Sequence, residues 1–215
     1  MSAEKIYTTV AAYLPDIATT NVCDLHSACS PVKHKTYMCE GKKGSRYPMI
    51  DFDRIKERYC KANSLKSIKS IDALALSPSK SRLCLIELKS WLMVLEPPVE
   101  SKRSPATPTD VEAQTTKYSS ALPTKLASSI TLCREITDDP TLFTDLAIDY
   151  ILVTDIDTDT DAIEGLLSNL SALAGTGSKL IPLCNRLSRD IMSGITNADT
   201  HYWHCRDLDT KIQSL

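Results

Sequence analysis

Three charges lie inside two segments that otherwise have the composition of a buried hairpin, Ile71-Asp72-Ala73-Leu74 and Leu83-Cys84-Leu85-Ile86-Glu87-Leu88-Lys89. Ser77-Pro78-Ser79-Lys80-Ser81 between them has the residues of a turn, so strands are predicted at about 67–76 and 82–95. An unpaired carboxylate or ammonium in such a core loses hydration at high cost. With the two-residue period of a strand, Leu85, Glu87 and Lys89 share one face and Cys84, Ile86, Leu88 and Ser90 the other. Two carboxylates and one ammonium can therefore converge.

That set suits a divalent-metal hydrolase. Asp and Glu oxygens hold a hard Mg²⁺ ion, and an adjacent Lys stabilises negative charge or tunes the attacking water. The same pattern also arises on an edge strand, where a solvated Glu and Lys guard against aggregation.

The residues that follow separate these readings. Asp72, a hairpin, Glu87-Leu88-Lys89 and then Gln114-Thr115-Thr116-Lys117-Tyr118 on a predicted helix form an ordered series. This series resembles the PD-(D/E)XK nuclease superfamily, and Q-x-x-x-Y is similar to an element of its RecB-like branch. Where that branch commonly has Gly before the Asp, the chain has Lys69-Ser70-Ile71. The resemblance spans roughly residues 50 to 155, on short motifs whose weight comes from order and spacing. It implies an α/β fold with a restriction-endonuclease-like core, a mixed central sheet flanked by helices. It also implies Mg²⁺ or Mn²⁺ held by Asp72, Glu87 and the backbone carbonyl of Leu88, with Lys89 as the catalytic lysine. Glu57, on a predicted helix before the hairpin, would complete the acidic set, and Gln114 and Tyr118 would border a nucleic-acid groove. The implied activity is hydrolysis of phosphodiester bonds, with DNA favoured. The alternative is an inactive scaffold of the same fold, a DNA-binding or protein-interaction subunit of a larger assembly.

Composition limits what else the chain can be. Its 215 residues, 42% hydrophobic and 24% charged, suffice for one sizeable core. The expected division is an N-terminal helix and loop-rich Cys/His segment at 1–49, then the nuclease-like core with a C-terminal α/β extension at 50–215. No stretch approaches a membrane span and the amino terminus lacks an apolar export segment, so no membrane partner and an intracellular location are expected. Eight Cys in that setting are read as thiols or metal ligands rather than disulfides, with Cys84, Cys133 and Cys184 in apolar runs as core residues. A net charge of −2 argues against coating nucleic acid by charge alone. Charge is nonetheless uneven: residues 33–69 are rich in Lys and Arg, whereas residues 138–164 are rich in Asp.

Cys23, His26, Cys29, His34 and Cys39 crowd a segment without periodicity. Zn²⁺ could order it through thiolate and imidazole ligands, but the spacing is not that of paired C-x-x-C knuckles, and unligated surface residues are the simpler reading. Asp155-x-Asp157-x-Asp159 begins like a calcium loop and fails at Thr160 and Leu166. Helices are expected over 3–14, from Asp51 with Phe52, Ile55, Tyr59 and Ala62 on one face, from Thr109 with an interruption at Pro123, over 160–174, and over 186–192 after a short apolar segment at 179–183. A buried strand at 146–153 follows a long helical crossover and is expected to be parallel, and a last strand is expected at 201–205.

Overall fold

The computed structural model describes residues 1–14, 20, 21, 25, 46–95, 106–140, 146–158 and 180–215. The Cys/His group at 23–39 and the helix expected over 160–174 lie outside these residues.

Local capping sets the first elements. Ser2 accepts the Lys5 N–H and opens α1 (Ala3–Ala12), whose Ala3, Ile6 and Val10 are buried. A two-residue strand, β1 (Ile50–Asp51), runs into α2 (Phe52–Ala62), with Asp51 as N-cap accepting the Arg54 N–H at 3.1 Å. Phe52, Ile55 and Cys60 are the buried positions of α2. Ala62, expected on that face, is exposed because the helix has reached its solvent-facing last turn.

The hairpin is β2 (Ala73–Leu76) and β3 (Leu83–Lys89), paired antiparallel with Ala73 opposite Ile86 and Leu76 opposite Leu83. In the turn, Lys80 has a φ of 56° and its N–H donates to the Ser77 carbonyl. Both strands are shorter than expected. Beyond Lys89 the chain turns into a short helix, α3 (Leu92–Leu95), where a strand to residue 95 was predicted. The cause is a distant cap: Asp155 accepts the N–H groups of Trp91 at 2.8 Å and Leu92 at 3.1 Å and the Ser90 hydroxyl. An apolar run as short as Trp91-Leu92-Met93-Val94-Leu95 carries no period that distinguishes strand from helix.

The crossover is a single helix, α4 (Pro108–Thr137), started by a capping box in which Thr107 and Asp110 bond reciprocally. The expected interruption at Pro123 does not occur. Pro123 is exposed, so the hydrogen bond that it cannot donate is lost on the solvent side, where water satisfies the carbonyl one turn earlier. The chain returns as β4 (Ile148–Thr154), parallel to β3 as expected of a helical crossover. The segments predicted at 179–183 and 186–192 are one helix, α5 (Ile181–Ser193). Then β5 (Asp199–His204) pairs parallel with β4, Cys205–Asp207 form a 3-10 turn, and α6 (Leu208–Ile212) closes the described chain. The architecture is mixed α/β, a five-stranded mixed sheet in the order β1-β2-β3-β4-β5 flanked by helices.

Strand alternation divides the core. Leu74, Leu83, Leu85, Tyr150 and Leu152 face α1, α4 and α5 in one apolar cluster, while Ala75, Cys84, Ile86, Ile151 and Val153 face α6 in another. Cys60, Cys84, Cys133, Cys184 and Cys205 are buried and form no disulfide. Among the described residues no helix is long and apolar enough to cross a membrane. Two members of the acidic run are internal: Asp149 receives Arg82 at 2.6 and 3.0 Å and His201 at 2.8 Å, and Asp155 caps α3. Acid in this part of the sequence is thus partly structural.

Asp155 gives the fold a pH dependence. Burial raises its carboxyl to about 6, against the opposing effect of the hydrogen bonds that it accepts from Ser90, Leu92 and Trp91. Its folded value lies above its unfolded value, so its contribution to stability is full below about pH 4 and is lost as pH rises through about 6. Asp155→Asn keeps an oxygen for the two N–H groups and cannot ionise. Its melting temperature relative to the native chain is expected to climb between pH 4 and pH 7, by an equivalent on the order of 2–3 kcal/mol. Parallel melting curves across that range would count against this account.

Candidate active site at the end of the hairpin

The register of β2 and β3 makes the site. Ala73 pairs with Ile86, and the ladder runs one step further, with the Asp72 N–H donating to the Ile86 carbonyl at 3.0 Å. Asp72 therefore stands opposite Glu87, on the face that carries Leu74 and Leu85 and meets α4. Asp72 Oδ2 accepts the Leu88 N–H at 2.7 Å, which fixes its carboxylate at the strand end. Since Ile86 turns its carbonyl toward β2, Leu88 two residues on turns its own to the same side, past Ala73, the first residue of β2.

The helix α4 completes the face. Gln114, Tyr118, Leu122 and Lys125 recur at steps of four, four and three, one stripe of a helix. One turn beyond, buried Ser129 accepts the Ile71 N–H at 3.0 Å and ties the stripe to the residue before Asp72. Lys125 Nζ donates to Glu87 Oε1 at 2.7 Å and Oε2 at 2.8 Å, and lies 3.5 Å from Asp72 Oδ1. Lys89 Nζ is 3.4 Å from Glu87 Oε1 and sits 4.5 Å from the centre of the Tyr118 ring, a cation–π contact. The Gln114 amide donates to the Tyr118 hydroxyl at 2.8 Å, and Trp91 meets the Tyr118 ring edge-on at 5.5 Å. Tyr118 is buried, so its place is beneath Lys89 rather than along an open groove.

Glu87 is fully buried, and its carboxyl is pushed up to about 7 by desolvation and then by the neighbouring Asp72, with Lys125 and Lys89 pulling the other way. Burial disfavours the Lys125 ammonium, but Glu87 and Asp72 together outweigh it and hold the group charged.

Asp72, Leu88 and Lys89 open onto a cleft of about 430 Å³ whose other wall is the start of α2, with Asp51, Asp53, Arg54 and Glu57. Four carboxylates against two cations make this a cation-attracting cleft. Glu57 is thus at the same cleft as Asp72, on an exposed turn of α2. Two residues of the site, Asp53 and Lys125, belong to no motif of the sequence. Asp53 accepts the Ser70 hydroxyl at 2.9 Å and pairs with Lys56, and it stands one helical turn before Glu57. The signal for Lys125 is the Gln114-Tyr118 stripe, which reaches it only because the helix runs on through Pro123.

The donor types at the strand end are those that a hard divalent cation takes. Asp72, Glu87 and the Leu88 carbonyl offer oxygen alone, on one side of one strand end. Among the described residues no group of three or more Asp, Glu, His and Cys side chains is gathered to hold an ion. Comparisons with protein-family models, with curated proteins and with solved structures returned no match.

Proposed function

We infer that the chain is a metal-dependent phosphodiester hydrolase with a restriction-endonuclease-like core, acting on nucleic acid with DNA favoured. The observation that carries the reading is the pairing of Asp72 and Glu87 across the hairpin, with Lys89 beside them at the mouth of an acidic cleft. The order of a helix bearing Glu57, a hairpin bearing Asp72 and Glu87, and a helix bearing Gln114 and Tyr118 supports it, being the order on which the resemblance rests.

In this reading Asp72, Glu87 and the Leu88 carbonyl hold Mg²⁺ or Mn²⁺. Such an ion, when bound, would supply an acidified water and charge compensation for the phosphate. Leu88 N–H keeps one Asp72 oxygen in place, which turns the other toward Glu87 and Lys125. Lys89, held over the Tyr118 ring, presents its ammonium where negative charge develops on the phosphoryl oxygens. Gln114 and Trp91 hold that ring, so the position of Lys89 costs little reorganisation during reaction. Glu57 and Asp53, on the facing wall, draw the cation in and orient water.

One observation favours a second reading, a non-catalytic subunit of the same fold. Lys125 and Lys89 already compensate Asp72 and Glu87 charge for charge, as a purely structural network does. Calorimetric titration with Mn²⁺ separates the two. The hydrolase is expected to bind the ion at one saturable site that disappears in Asp72→Ala and in Glu87→Ala. The absence of any specific heat with the native chain would support the subunit instead.

A further inference from the structure

Lys125 is surrounded by the oxygens that the reading above gives to a cation. Of the four carboxylate oxygens of Asp72 and Glu87, its Nζ contacts three, at 2.7, 2.8 and 3.5 Å, and the fourth is taken by the Leu88 N–H. A helical Lys on a crossover usually extends into solvent, yet this one has a side chain only 21% exposed and turns inward to a fully buried partner. We propose that Lys125 is a built-in counter-ion: it occupies the divalent-cation position while the protein is metal-free and swings into the cleft when a cation binds. The proposal rests on the metal-site reading and adds a residue, and an order of events, to it.

The physical reasons are charge and space. A buried carboxylate left without a partner is strongly destabilising, so a metal site built around Glu87 needs a substitute cation whenever it is empty. A Lys is suited to the part, because its ammonium is a compact point charge on a flexible stem and can leave without moving the backbone. An ammonium and a divalent ion cannot share the same oxygens, since they repel at contact distance. Asp72, 3.5 Å from the Lys125 ammonium, itself lines the acidic cleft, and the Asp53 carboxylate on the cleft wall already attracts that ammonium. There the displaced group faces the place a phosphodiester enters. Metal loading thus frees a cation for the anionic substrate, and Lys125 acts as a positioning residue that couples the two binding events.

The test is the affinity for Mn²⁺ alone, read by electron paramagnetic resonance of the free ion, in the native chain, Lys125→Met and Lys89→Met. Both substitutions remove one positive charge near Glu87, but only the first empties the cation position. Lys125→Met is expected to bind Mn²⁺ about tenfold more tightly than the native chain and clearly more tightly than Lys89→Met. In EDTA its melting temperature is expected to fall below the native one, and saturating Mn²⁺ should raise it by more than it raises the native protein. A residue that merely supported the fold would lose affinity on substitution. Unchanged or weaker binding by Lys125→Met, or equal tightening by the two variants, overturns the proposal while leaving the metal site standing if the native chain still binds Mn²⁺. No specific binding by any of the three overturns both. Should Lys125→Met fail to fold in EDTA, Lys125→Gln carries the same comparison, and failure of both to fold even in Mn²⁺ counts against the metal's standing in for Lys125.

Discussion

Glu87→Gln is expected to lower the metal-dependent cleavage rate by at least about a thousandfold, which corresponds to roughly 4 kcal/mol of transition-state stabilisation. The substitution removes one of two carboxylates that face each other across the hairpin and leaves the side-chain volume unchanged. It should not unfold the chain. Glu87 is fully buried and its carboxyl is raised to about 7, so the folded state already disfavours the ionised form, and a neutral amide relieves that burden. What it forfeits is the charge attraction to Lys125 and Lys89, and the Lys125 ammonium retains Asp72 at 3.5 Å as a neighbour. Rates measured with saturating Mg²⁺, alongside melting curves of both proteins, separate a chemical defect from a folding defect. A Glu87→Gln protein that melts near the native temperature and cleaves at more than about a tenth of the native rate would remove Glu87 from the catalytic set.

The largest stability effect is expected at Trp91. Its side chain is 1% exposed, its indole N–H donates to the Ser188 hydroxyl of α5 at 3.1 Å, and its ring meets Tyr118 on α4. It joins the end of β3 to two helices at once. Trp91→Ala should cost about 3–5 kcal/mol by lost burial and the cavity left behind. In a chain of this length that is a fall of roughly 6–20 °C in melting temperature. The consequence reaches the site, because Tyr118 loses the edge contact that fixes the ring beneath Lys89. Denaturant unfolding checks the first part through a lower midpoint at unchanged slope. A loss under about 1 kcal/mol would show that neighbouring side chains collapse into the space and that Trp91 is not the bracket described here.

How far the sequence reveals this arrangement depends on the range of the forces that set each part. The two-residue period of a strand is local, so the convergence of Asp72, Glu87 and Lys89 follows from the hairpin alone. The parallel return of β4 follows from the length of the crossover. Lys125 and Asp53 escape such reading because their roles depend on tertiary distance. A Lys on an amphipathic helix is ordinarily solvent-facing, and nothing near residue 125 announces the carboxylate that it meets on β3. Pro123 misleads for a related reason: its effect on a helix depends on which side faces water, a property of packing rather than of the residue. The helix at Leu92–Leu95 forms because Asp155, more than sixty residues away in the chain, caps it. Tyr118 was read at the border of a groove, whereas burial places it below the ammonium that it supports.

The most direct measurement is a time course of cleavage of labelled single- and double-stranded DNA and RNA by the native chain and by Glu87→Gln, each with Mg²⁺, with Mn²⁺ and with EDTA. The native chain is expected to cleave at least one substrate, with cleavage dependent on the ion, abolished by the chelator and lost in Glu87→Gln. Cleavage that persists in EDTA or in Glu87→Gln would contradict this, and so would a native chain that binds Mn²⁺ at the hairpin yet cleaves none of the four substrates.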